Sequence, residues 1–187
     1  MSKLSVHLSP GRTDGFGAFL QKCAEAGSPI GVVYTVNQNI KPDLIKYSPS
    51  TKWIYRRQTD EFNRTPNGFF EGDPIDSCRR WFLAFDRADH NRTLLQNWAL
   101  NPADWFDPLN EVVPDIPSKM QWLNAWTLCA LEIAAAHGFK LAIGSTPTGT
   151  PPAAMWPYFY PALQLGQRHS AILNLHAYWE QIDRDNA

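Results

Sequence analysis

Apolar and polar positions along the chain keep changing period, from runs of strand type to spacings of helix type and back. Leu4-Ser5-Val6-His7-Leu8 alternates as a short strand and ends in the turn residues Ser9-Pro10-Gly11. Phe16, Phe19, Leu20, Cys23 and Ala24 then share one helical face, with Asp14 as the expected cap and Gly27 as the stop. Residues 30–36 form a continuous, β-branched apolar run, the pattern of a strand covered on both faces. A helical turn from Pro42 to Lys46 leads to the strand Lys52-Trp53-Ile54-Tyr55-Arg56. Residues 59–73 lack periodicity and read as a long loop.

Helical spacing returns from Pro74 to Arg87 and from Arg92 to Leu100, followed by a strand over Trp105 to Leu109. Met120, Leu123, Thr127, Ala130 and Ala134 line one face of the next helix, which starts at Asp115 or Ser118 and closes at His137-Gly138. Leu141 to Gly144 is the fifth strand, Ser145 to Pro152 a loop, Tyr160 to Gln167 a helix and Ala171 to His176 the sixth strand. Six strands alternating with helices call for parallel pairing with helices outside. No glycine-rich phosphate loop follows the first strand, which disfavours an open dinucleotide-binding sheet. At about 31 residues per unit, eight units would reach about the 250 residues of a (β/α)8 TIM barrel. The expected architecture is therefore a single α/β domain over residues 1–187, a barrel with six of its eight units and an incomplete C-terminus. Its first and sixth strands would be open edges, which favours self-association.

Composition narrows the partners. The formal net charge is −1, from 17 basic and 18 acidic residues, and no basic stripe suits a phosphate backbone, so nucleic acid is not expected. No apolar run reaches the roughly 20 residues of a membrane span, and no signal-peptide core follows Met1-Ser2-Lys3. A membrane partner is not expected, and the cytoplasm is the default location. Cys23, Cys78 and Cys129 are too far apart for a zinc or redox motif and read as small buried residues. The chain has 8 Trp, 6 Tyr and 10 Phe. Trp105, Trp156, Tyr158, Tyr160, Tyr178 and Trp179 fall near strand ends or in the loops beyond, where flat rings suit sugars; the alternative is that aromatics fill a large core.

In a barrel, function gathers at the carboxyl ends of the strands. Those ends hold His7, Thr35, Asn37, Arg56, Arg57, Asn110, Glu111, Ser145, Thr146, His176 and Tyr178. This set suits a neutral polyhydroxylated ligand better than a phosphate or a metal ion, and no cofactor is expected.

Asn110-Glu111 after the fourth strand, with His176-x-Tyr178-Trp179 after the sixth, resembles the clan A glycoside hydrolases. The resemblance covers the chain as a pattern of elements, while its specific motif is two residues long. It implies hydrolysis of O-glycosidic bonds with retention, Glu111 as general acid/base and Asn110 as the clamp on the sugar 2-hydroxyl. It also places His176 and Tyr178 near the cleft; the strand-end positions of His7 and Arg56, and Trp179 in the loop after the sixth strand, add them as candidates for contact with a carbohydrate substrate. The family's nucleophilic Glu ends a seventh strand, which would lie beyond Ala187; Glu180 is a poor substitute, and Asp183 and Asp185 read as a solvated tail. On that reading the 187 residues lack a complete catalytic pair. Two rivals stand beside it: a non-catalytic barrel binding carbohydrate or protein, and a barrel lyase or isomerase.

Overall fold

The computed structural model describes residues 5–8, 14–36, 40, 42–57, 70–86, 89–147 and 149–176, with Pro42, Asp86, Asp89, His90 and His176 described by their backbone alone. It is an α/β structure. Strands β1 (Ser5–Leu8), β2 (Val32–Val36), β3 (Lys52–Arg56) and β6 (Trp105–Asp107) pair in that order, all parallel, as a four-stranded sheet. Strands β7 (Ala142–Pro147) and β8 (Ile172–His176) form a second parallel pair. A single bridge, Phe106 to Leu141, joins β6 to the second pair, with the Phe106 N–H donating to the Lys140 carbonyl at 2.8 Å. Each of these strands therefore lies beside its neighbour in that series.

Parallel neighbours need crossovers, and most are helical. α1 (Phe16–Glu25) links β1 to β2, and α2 (Pro42–Tyr47) links β2 to β3. α3 (Pro74–Leu83) and α4 (Leu94–Trp98) lie between β3 and β6. α5 (Pro117–Ala136) links β6 to β7, and a 3-10 turn (Ala153–Phe159) runs into α6 (Tyr160–Arg168) before β8.

Several elements differ from expectation. Gly15, at φ 76°, opens α1, and Asp14 makes no capping bond. α3 ends at Leu83, because β4 (Phe85–Asp86) and β5 (Asp89–Thr93) pair antiparallel where the pattern suggests helix. α4 starts at Leu94 behind a capping box of Thr93 and Gln96, and α5 starts at Pro117 behind Ile116, not behind a side-chain cap. β7 continues through Ser145 to Pro147, which was expected as loop. Most of the 59–73 loop lies outside the described residues.

Alternation along the strands separates two environments. Leu8, Val33, Trp53, Tyr55, Phe106 and Ile143 sink into the core under the helices. Ser5, His7, Val32, Tyr34, Ile54 and Arg56 line a cavity on the other face. Aromatic side chains supply much of the core: Trp98 stacks on Phe106 at 4.8 Å, Phe82 meets Trp98 edge-on at 5.5 Å, and Trp81 meets Trp126 at 6.0 Å. Gly166 lets α6 approach the sheet, since a Cβ there would stand 3.0 Å from Ile143 Cδ1. The edge strands β1 and β8 border one cavity, so the sheet is curved; among the described residues no strand pairs β1 with β8, and it is not closed.

Candidate functional site

The cavity on that inner face has a volume of 590 Å³. Its lower wall is apolar, with Val32, Ile54 and Ile172; towards the strands' carboxyl ends it turns polar, with His7, Tyr34, Arg56, Asn174, Asn110 and Glu111. β1, β2, β3 and β8 each contribute a polar side chain, and the segment after β6 contributes two.

Beneath the polar wall lies Asp107, the last residue of β6 and fully buried. Tyr34 Oη donates to its Oδ2 in a short hydrogen bond. Asn174 Nδ2 donates to the same oxygen at 2.8 Å, Ser145 Oγ to Oδ1 at 2.6 Å, and the Leu109 N–H to Oδ1 at 3.1 Å. Burial raises the Asp107 carboxyl above its ordinary value, against the pull of Ser145, Tyr34, Arg56 and the Leu109 N–H. Burial, then the neighbouring Asp107, pushes the Tyr34 phenol far up, so that it stays a donor.

Arg56 is buried at 8% exposure, with its guanidinium carbon 5.6 Å from the centre of the Tyr34 ring. It donates through Nη1 to Asn110 Oδ1, while its buried Nε has no hydrogen-bond partner among the described residues. His7 meets the Tyr34 ring edge-on at 5.1 Å. Glu111 is half-buried and takes a left-handed backbone, φ 48°, uncommon for a residue with a side chain.

Of the residues singled out in the sequence, His7, Arg56, Asn110 and Glu111 come together at this cavity. Arg57 does not line it and donates to Tyr55 Oη at 3.0 Å. Thr35 is buried and bonds the Ile54 carbonyl at 3.4 Å. The side chain of His176, and all of Tyr178, Trp179, Glu180 and Asn37, lie outside the described residues. Of the expected strand-end aromatics, the four among the described residues do not line the cavity: Trp105 bonds the Ser170 carbonyl at 2.9 Å, and Trp156, Tyr158 and Tyr160 are absent from the wall.

Tyr34, Asp107 and Asn174 carry the polar layer and were not among the residues expected there. The signal available was weak: each is a polar residue at an inward position of an apolar strand. Among the described residues no cluster of His, Cys, Asp or Glu is arranged to hold a metal ion, and no helix is long and apolar enough to cross a membrane. Comparison with protein families, with characterised proteins and with solved structures finds no match to this chain.

Proposed function

We propose that the protein is a glycoside hydrolase-type domain, its parallel strands part of a (β/α)8 barrel, with Glu111 as general acid/base and Asn110 as a clamp on a sugar hydroxyl. One observation carries this reading: Asn110 and Glu111, just beyond the fourth strand of the parallel series, border a single cavity with Arg56, Tyr34, His7 and Asn174. The order of strands supports it, as does the curvature that brings both edge strands to that cavity. Donors and acceptors from several strands suit the hydroxyls of a sugar ring.

In the retaining reaction Glu111 gives its proton to the glycosidic oxygen as the C1–O bond breaks, and a second carboxylate forms an ester at C1. Glu111 then takes a proton from the water that cleaves the ester. Asp107 is not that nucleophile, because its oxygens are engaged by Tyr34, Ser145, Asn174 and Leu109 at full burial. Among the described residues no second carboxylate lines the cavity beside Glu111. The same engagement of Asp107 favours a second reading, a barrel that binds carbohydrate without cleaving it.

A panel of α- and β-linked oligosaccharides tests both, with binding followed by calorimetry and the anomeric form of the product by NMR. Hydrolysis with retention, slowed about 10²- to 10⁴-fold by Glu111→Gln, supports the hydrolase. Binding without cleavage supports the second reading. Unchanged turnover in the variant removes Glu111 from the mechanism, and a protein that neither binds nor cleaves glycans sinks both.

A further inference from the structure

We propose that Asp107 is the positioning residue of the Asn110–Glu111 pair, holding the turn that carries both side chains from the end of β6 to the cavity; this rests on the reading of the cavity given above. β6 ends at Asp107, and Pro108 has no N–H to offer. The next donor is the Leu109 N–H, which bonds back to Asp107 Oδ1 at 3.1 Å. A carboxylate that accepts the N–H two residues on folds the chain into an Asx turn.

That turn is tied to the rest of the sheet. Ser145 on β7 donates to Oδ1, and Tyr34 on β2 and Asn174 on β8 donate to Oδ2, so the carboxylate cannot rotate without breaking contacts to three other strands. The Tyr34 ring carries Arg56, and Arg56 holds Asn110. A closed circuit results: Asp107 to Tyr34, Tyr34 to Arg56, Arg56 to Asn110, and back along the chain through Leu109. Glu111 sits next to Asn110 in a backbone conformation that persists only where its surroundings impose it. The competing account is apolar anchoring, because Leu109 and Val112 on either side of the pair are both in the core.

Amide hydrogen exchange on the whole protein separates the two without any ligand. Asp107→Ala removes the acceptor, and segment 108–113 is expected to exchange about tenfold faster, while α1 and α6 keep wild-type rates. Asp107→Asn keeps an oxygen for Leu109 and is expected to hold 108–113 at wild-type protection. Wild-type exchange there in the alanine variant, or an equal rise in β2, β8 and both helices, overturns the proposal. Where the alanine variant does not fold, Tyr34→Phe decides, because it removes a donor to Oδ2 and leaves Leu109 and Val112 in the core: faster exchange at 108–113 upholds the proposal, and wild-type exchange there overturns it. In a protein that cleaves glycosides, Asp107→Ala is further expected to lower kcat while leaving KM in place. A protein with no glycosidase activity would count against the reading of the cavity and leave the exchange result standing.

Discussion

Asn174 on β8 donates its amide to the Asp107 carboxylate on β6 at 2.8 Å, joining the two separately paired groups of strands through side chains. Because Asp107 is fully buried and accepts from four donors, whatever replaces Asn174 meets a carboxyl group with little water to screen it. Asn174→Asp sets a second carboxylate against it. At neutral pH this variant is expected to lose about 2 kcal/mol of stability. On acidification one carboxyl takes up a proton and becomes a donor, so most of the loss should return. Thermal melts at neutral and acid pH check this, and an equal deficit at both would mean that repulsion is not the cause.

The buried carboxyl itself has a pH signature. Burial raises Asp107 above the ordinary 3.8, so the folded protein binds that proton more tightly than the unfolded chain. Its contribution to stability is therefore greatest below the unfolded value and falls as pH rises through the raised folded value. Asp107→Asn has no such proton. The stability of the wild type minus that of the variant, from urea titrations, is expected to fall as pH rises above 3.8. A difference that stays flat or grows would show that the hydrogen bonds, and not burial, dominate this group.

Strand positions and most helix spans were legible because strands with one face in the core and the other on a partly apolar cavity leave nearly continuous apolar runs, such as residues 32–36, and helix faces leave spacings such as Met120, Leu123, Thr127, Ala130 and Ala134. The hairpin of Phe85–Asp86 and Asp89–Thr93 was not, since its short, polar strands carry no alternation and follow a true helix without a break. The site was half legible. Asn110 and Glu111 stand out because two polar residues follow an apolar strand. Asp107 reads as an interior residue of an expected strand from Trp105 to Leu109, because what makes it central are Tyr34, Ser145 and Asn174, brought to it by pairing that no local pattern records. Aromatic abundance was open to two readings, and much of it belongs to the core: Trp53, Trp98 and Trp126 are among the largest fully buried side chains.

Two cysteines that look unrelated in the sequence meet in the fold. Cys78 on α3 is fully buried, and burial, with Cys129 of α5 beside it, pushes its thiol well above the ordinary range. A thiol held protonated and out of reach is a poor nucleophile. Iodoacetamide at mildly alkaline pH should therefore spare Cys78 in the native protein while modifying the half-buried Cys23 first, and urea should make all three reactive. Peptide mass mapping reads the order. Native-state labelling of Cys78 as fast as Cys23 would contradict the packing of α3 on α5.

Gly144 is the residue through which β7 reaches the site. Register against β8 shifts between Gly144 and Thr146, and this bulge turns Ser145 onto Asp107 at 2.6 Å. The backbone at Gly144 takes φ +99°, and a Cβ there would stand 3.0 Å from Leu173 Cδ1 and 3.2 Å from the Asn174 carbonyl. Leucine can yield, but the carbonyl is part of the strand that presents Asn174 to the carboxylate. Gly144→Ala is expected to cost about 2–3 kcal/mol, combining an unfavourable backbone with a contact that displaces β8. Gly138→Ala is the control, since it also has a positive φ, +77°, with nothing within 4 Å of its Cβ, and should cost only about 1 kcal/mol. Urea unfolding ranks the two, and ligand binding separates them further, because only the Gly144 variant disturbs the Ser145 and Asn174 contacts beneath the cavity. Equal losses in both variants would show that the approach of β8 is not what excludes a side chain at Gly144.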